Sequence, residues 1–205
     1  MTTTPKPEPN GNGGKQAENG QPNCAQSISF SGATAWAGSE LVNFQQAGRG
    51  KPVLLLSAGQ DSGTEARLAT ALAGRFRVVL PSMGMPNGTT NGNGQSNAAS
   101  VAFPVGETLE LFLDTLGFAR VTLVATPPYA SAALAYALLD AERVERLVIF
   151  IDDRLRNGSS QPLISDRLSE AGIPLAALAW PDSQPQELRE SCVAAIIDEV
   201  TSFLS

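Results

Sequence analysis

The sequence predicts an α/β protein: a mostly parallel central sheet with helices on both faces, a three-layer sandwich. Three observations carry that expectation. Compact stretches rich in Val, Leu and Ile recur at Pro52–Leu56, Arg77–Leu80, Arg120–Val124 and Arg146–Ile151, the form of strands buried on both faces. Segments with apolar residues at helical spacing lie between them. The two kinds alternate along the chain, and alternation with right-handed crossovers yields a parallel sheet.

In chain order, residues 1–26 are dominated up to Pro22 by Thr, Pro, Gly, Asn, Gln, Glu and Lys, too poor in apolar surface to offset ordering entropy. They are expected to form a disordered tail, and residues 27–205 one folded domain. Ala33–Ala37 and Glu40–Gln46, joined at Gly38-Ser39, read as a hairpin that ends at Gly48-Arg49-Gly50. The apolar run Pro52–Leu56 stops at Ser57-Ala58-Gly59 and should be central. From Thr64 to Gly74, Ala66, Leu68, Ala69, Leu72 and Ala73 mark a helix, and the strand Arg77–Leu80 follows, ending at Pro81.

Residues 85–100, with three Asn-Gly pairs and no periodicity, are expected to form a flexible surface loop. Leu109–Leu116 reads as an amphipathic helix stopped by Gly117, with Arg120–Val124 the next strand. Tyr129–Leu139 has a helical period rich in Ala and Leu, and Arg146–Ile151 ends at Asp152-Asp153. A weaker helix at Ile164–Ala171, a strand at Pro174–Trp180 and a helix at Gln186–Leu204 complete the chain.

Composition narrows the function classes. The net charge is -6 and no run of Lys and Arg is concentrated in the sequence, so no nucleic-acid partner is expected. No apolar run approaches the roughly 20 residues that cross a bilayer, and the opening MTTTPKPEPNGNGG lacks the basic and apolar regions of a secretory signal. A cytoplasmic protein without a membrane span is the expectation. Cys24 and Cys192 form neither a disulfide framework nor a metal site, and Asp152-Asp153 lacks signalled co-ligands, so no metal is expected. Gly59-Gln60-Asp61-Ser62-Gly63-Thr64 lies between a strand and a helix, as phosphate loops do. It has no lysine after its second glycine, so it reads as a loop with a helix cap, and no cofactor is expected.

Several stretches together resemble the α/β-hydrolase family. GSELVNFQQAGRGKPVLLL is similar to its second strand, turn and third strand, and RFRVVLPSMGMPN to its fourth strand and the loop beyond. LELFLDTLGFARVTLV followed by SAALAYALLDAERVERLVIF resembles the helix, fifth strand, elbow helix and sixth strand, and VAAIIDEVTSFLS the closing helix. The resemblance runs from about residue 32 to the end, in colinear order. It implies a trimmed member: the segment from Asp153 to Pro174 is too short for a cap, and the residues after Trp180 too few for an eighth strand with a histidine-bearing loop.

The resemblance also locates what is missing. Aligned on Leu123-Val124 and on the following ALAYAL, Pro127 takes the place of the nucleophilic serine of G-x-S-x-G and Pro128 that of the next residue. Proline has no hydroxyl, cannot adopt the strained turn, and at Pro128 offers no N–H to an oxyanion hole. The chain contains no histidine, so the general base is absent as well. Thr126, Pro127 and Pro128 thus read as a vestigial elbow, with no catalytic residue assigned.

The strand ends still gather polar groups. Ser57, Gly59, Gln60, Ser82, Thr126, Tyr129, Ser131 and Asp182 form the candidate pocket, and Asp61, Glu65, Asp152, Asp153 and Asp182 are the only carboxylates that could serve as bases. Asp182, without a histidine to orient, reads as a helix cap or solvated turn. Three functions follow: a pseudo-hydrolase scaffold binding a small molecule or a protein; an esterase-type enzyme relocated onto Ser57, Thr126 or Ser131 with a carboxylate; and an accessory subunit of a larger assembly. The sequence gives no preference about oligomeric state.

Overall fold

The computed structural model describes residues 28–57, 63–82, 106–127, 129–151, 161–180 and 186–205. The expected tail 1–26 and the expected loop 85–100 lie outside the described residues. The strands are β1 (Ser31–Ala37), β2 (Glu40–Ala47), β3 (Pro52–Leu56), β4 (Arg77–Pro81), β5 (Val121–Ala125), β6 (Val144–Ile151) and β7 (Leu175–Ala179). The helices are α1 (Gly63–Ala73), α2 (Glu107–Thr115), α3 (Ala130–Leu139), α4 (Gln161–Glu170) and α5 (Gln186–Leu204). They form one seven-stranded sheet in the order β1-β2-β4-β3-β5-β6-β7.

The expected hairpin is the antiparallel pair β1–β2, in register from Ser31 with Gln46 to Ala37 with Glu40. Gly38 turns it with φ of 63°, a conformation glycine reaches without steric cost. β2 joins the rest by antiparallel pairing with β4, and every pairing among β3 to β7 is parallel. The mostly parallel α/β sheet predicted from the sequence is therefore observed. Boundaries move by a residue or two at strand ends: β5 starts at Val121 rather than Arg120, and β6 begins at Val144, since pairing with β5 extends it backward.

Alternation along each strand assigns the two faces. Leu54, Leu56, Val79, Leu123, Leu147 and Ile149 meet Phe112 and Leu113 of α2, Ala133 and Tyr136 of α3, and Leu168 of α4. Their neighbours Val53, Leu55, Val78, Val124, Val148 and Phe150 meet Leu68 and Leu72 of α1 and Val200 and Leu204 of α5. Both faces of β3 and β5 are thus covered, which is why β3 reads as an apolar run and β5 as one interrupted only by the buried Thr122. Aromatic pairs fix each layer: Phe44 stands edge-on to Phe112 at 5.5 Å, and Phe150 to Trp180 at 5.0 Å.

Parallel strands also bring their starting ends together. Arg49 and Lys51 before β3, Arg75 and Arg77 at β4, Arg120 before β5, and Arg143 and Arg146 at β6 meet at one end of the sheet, half of the chain's 14 Lys and Arg. The sequence, where these residues lie far apart, carries no sign of this gathering. Lys51 pairs with Glu145 at 2.8 Å, and Arg143 with Asp114 and Asp140. The Lys51 ammonium beside Glu145 holds its carboxyl below the usual carboxylate range. Among the described residues no helix is long and apolar enough to cross a membrane.

Candidate functional site

The opposite end of the sheet holds the strand tips where the pocket was expected. β3 runs into Ser57 and β5 into Thr126, and the Thr126 N–H donates to Leu56 O at 2.9 Å, extending their pairing by one residue. Thr126 is 0% exposed. Its hydroxyl lies 3.1 Å from Glu65 Oε1 and 3.3 Å from Leu56 O. One proton serves both directions, and the carboxylate is the stronger acceptor.

Glu65 arrives from the first turn of α1 and is 5% exposed. Helix geometry puts it there: Glu65 heads the stripe Leu68, Ala69 and Leu72, at spacings of three, four and seven, so the apolar face that packs on the sheet carries the carboxylate inward with it. The N-terminal end of a helix also favours a negative charge.

On the other side of Pro127, the Tyr129 N–H donates to Thr126 O at 2.8 Å and closes a turn. Proline is favoured at the second position of such a turn because its φ is already set. Tyr129 then caps α3 in a helical conformation, and Ala133 N–H donates to Tyr129 O at 2.9 Å. The Tyr129 ring is 1% exposed, and burial, with the nearby negative charge of Glu65, pushes its phenol up to about 12.

The fold therefore brings Thr126, Tyr129 and Glu65 into one buried group between the tips of β3 and β5. Ser57 is also buried, at the end of β3. Pro127 is half-buried in the turn. Ser131 is exposed on α3, and Ser82 is exposed after β4, two strands from β5, with its N–H donating to Asn43 O at 2.7 Å. Neither joins the buried group. Pro128, Gly59, Gln60 and Asp182 of the expected site, and the carboxylates Asp61, Asp152 and Asp153, lie outside the described residues.

Glu65, one of the five candidate carboxylates and outside the expected pocket, makes the central contact. The signal was present: an acidic residue in register with a buried helical stripe. Among the described residues no cluster of three His, Cys, Asp or Glu side chains could hold a metal.

The class that the fold defines is an α/β protein with a mostly parallel seven-stranded sheet covered by helices. No family model matches the chain, and no curated protein matches it. Among solved structures it is similar to Cfl2 from Burkholderia cenocepacia, at 27% identity over 59% of this chain and 41% of that one, with a TM-score of 0.45. It is similar to epoxide hydrolase VrEH1 from Vigna radiata, at 19% identity over 60% of this chain and 38% of that one, TM-score 0.44. It is also similar to naproxen esterase from Bacillus subtilis, at 14% identity over 60% and 44%, TM-score 0.47. The chain spans about two fifths of the length of each, and the activities in those names belong to those proteins.

Proposed function

We propose that this chain is a catalytically degenerate α/β-hydrolase-fold protein, a pseudo-hydrolase that serves as a scaffold binding a small molecule or a protein. The observation that carries the reading is Pro127 at the position of the nucleophile, in a turn whose flanking side chains Thr126 and Tyr129 are buried. A nucleophile must be presented to its substrate, with a base of suitable pKa in hydrogen-bond reach. Proline offers nothing to attack with, the sequence has no imidazole, and the neighbouring hydroxyl is turned inward onto a carboxylate. The test is hydrolysis of short-chain nitrophenyl esters by the purified chain. The expected rate is that of buffer alone; turnover well above it that is abolished by Thr126→Val would refute the reading.

One contact favours a second reading, a relocated enzyme. Thr126 Oγ1 and Glu65 Oε1, 3.1 Å apart, have the spacing of a hydroxyl nucleophile and its base. An activated hydroxyl reacts with a fluorophosphonate probe, and labelling at Thr126 lost in Glu65→Gln would select this reading over the scaffold. Both groups are buried, whereas a nucleophile must be presented to its substrate, and that weighs against it.

A further inference from the structure

At the end of the sheet away from Thr126 lies a cavity of about 420 Å³ lined by Ser29, Ser31, Gln46, Ala47, Gly48 and Arg77. Its volume falls in the range that small-ligand sites occupy, roughly 300–1,000 Å³. Its lining is polar, and the strands explain why. Ser31 of β1 pairs with Gln46 of β2, and β2 pairs with β4 as far as Ala47 opposite Val78, which leaves Arg77 next to Gly48 at the open edge.

Arg77 is held but not neutralised. Its Nη2 donates to Gln46 Oε1 at 3.0 Å, and its Cζ lies 4.9 Å from the centre of the Phe118 ring. Ring and amide fix the plane of the guanidinium, and neither removes its charge. No carboxylate pairs with Arg77 among the described residues, nor with the exposed Arg49 and Arg75 nearby. Lys51, the remaining cation at this corner, is taken by Glu145. In a chain of net charge -6, a half-buried, oriented guanidinium lining a polar cavity, with no carboxylate paired to it among the described residues, is a local exception.

We propose that this cavity is a binding site for a small oxyanion, a phosphate or carboxylate group, received by the Arg77 fork with the Ser29 and Ser31 hydroxyls beside it. The guanidinium has further N–H donors beyond the one given to Gln46, in the planar arrangement that matches two oxygens of one group. Ser31 Oγ spends its proton only on a long bond of 3.3 Å to Gln46 O, which an anion would displace. The site does not depend on the pseudo-hydrolase reading, since it shares no residue with the strand tips.

The test is titration of the isotope-labelled full chain, followed by amide chemical shifts, with inorganic phosphate in one arm and succinate in another, at ionic strength held constant with sodium chloride. Saturable shifts confined to residues 29–31, 46–48 and 77 are expected in at least one arm, half-complete below about 10 mM. The responding arm identifies the oxyanion. Arg77→Gln should weaken binding at least about tenfold, and Arg77→Lys about threefold, because an ammonium keeps the charge but loses the fork. Should Arg77→Gln fail to fold, Arg77→Lys and Ser31→Ala carry the test. Silence in both arms, shifts spread without saturation over all basic residues, or unchanged affinity in the variants would overturn the proposal.

Discussion

The Thr126 hydroxyl and the Glu65 carboxylate meet 3.1 Å apart, both buried, and so tie the tip of β5 to the first turn of α1. Removing one partner leaves the other desolvated without that bond. Glu65→Ala and Thr126→Val are each expected to lower unfolding free energy by about 1–3 kcal/mol, and a double-mutant cycle should return a coupling of about 0.5–3 kcal/mol. Urea unfolding of the four proteins reads both quantities. Additive effects would mean that the contact contributes nothing of its own.

Tyr129 and Tyr136 are the chain's two tyrosines, and burial first, then nearby carboxylates, push both phenols up to about 12. In the unfolded chain they titrate near 10, so between about pH 10 and 12 the unfolded state loses protons that the native state keeps. Native stability is therefore full below pH 10 and falls as pH rises toward 12. Phenolate absorbance at about pH 11 should be small in the native protein and large in denaturant. Equal native and denatured titrations would contradict the burial of both rings.

Gly48→Ala should be among the costlier single changes in this fold. A methyl group there meets Phe76 O at 2.1 Å and Ala73 O at 2.3 Å, both backbone atoms, and the positive φ adds strain. A loss of about 1–3 kcal/mol or more is expected from backbone strain alone. Gly117→Ala is the control, since its φ is positive but nothing lies within 4 Å. Equal melting temperatures for the two variants would show that close approach does not matter at Gly48.

Leu54 lies at the centre of β3, fully buried and packed in the layer with Phe112 and Leu123. Leu54→Ala should cost about 2–5 kcal/mol, and Trp36→Ala, on the exposed side of the β1–β2 hairpin, under about 1 kcal/mol. Denaturant midpoints measure both.

The strands and helices were legible because burial on two faces leaves a simple trace: β3 and β5 are short segments rich in Val and Leu, and α2 repeats its apolar residues at helical spacing. The proline pair that follows β5 and the absence of histidine were equally legible, since both are facts of the sequence itself. The candidate pocket was less so. Ser57, Thr126 and Tyr129 were placed at the strand tips from order alone, but whether each faced solvent or the interior could not be read. Ser131, one position past the start of α3, points to solvent, while Tyr129 before it is buried. Glu65 shows the reason: a carboxylate is normally left in water, and only its register with Leu68 and Leu72 marked it as inward-facing.

The sequence by itself determined the alternation of elements, the two apolar faces and the absence of histidine, because each is a property of local pattern or of which residues exist. Tertiary structure alone decided which distant polar groups meet. Thr126 and Glu65 are 61 positions apart, and Arg77 and Gln46 are 31 apart. Strand pairing decides which ends meet whatever their separation along the chain: the parallel β3–β5 pair sets Thr126 beside Leu56, and the antiparallel β2–β4 pair sets Gln46 beside Arg77.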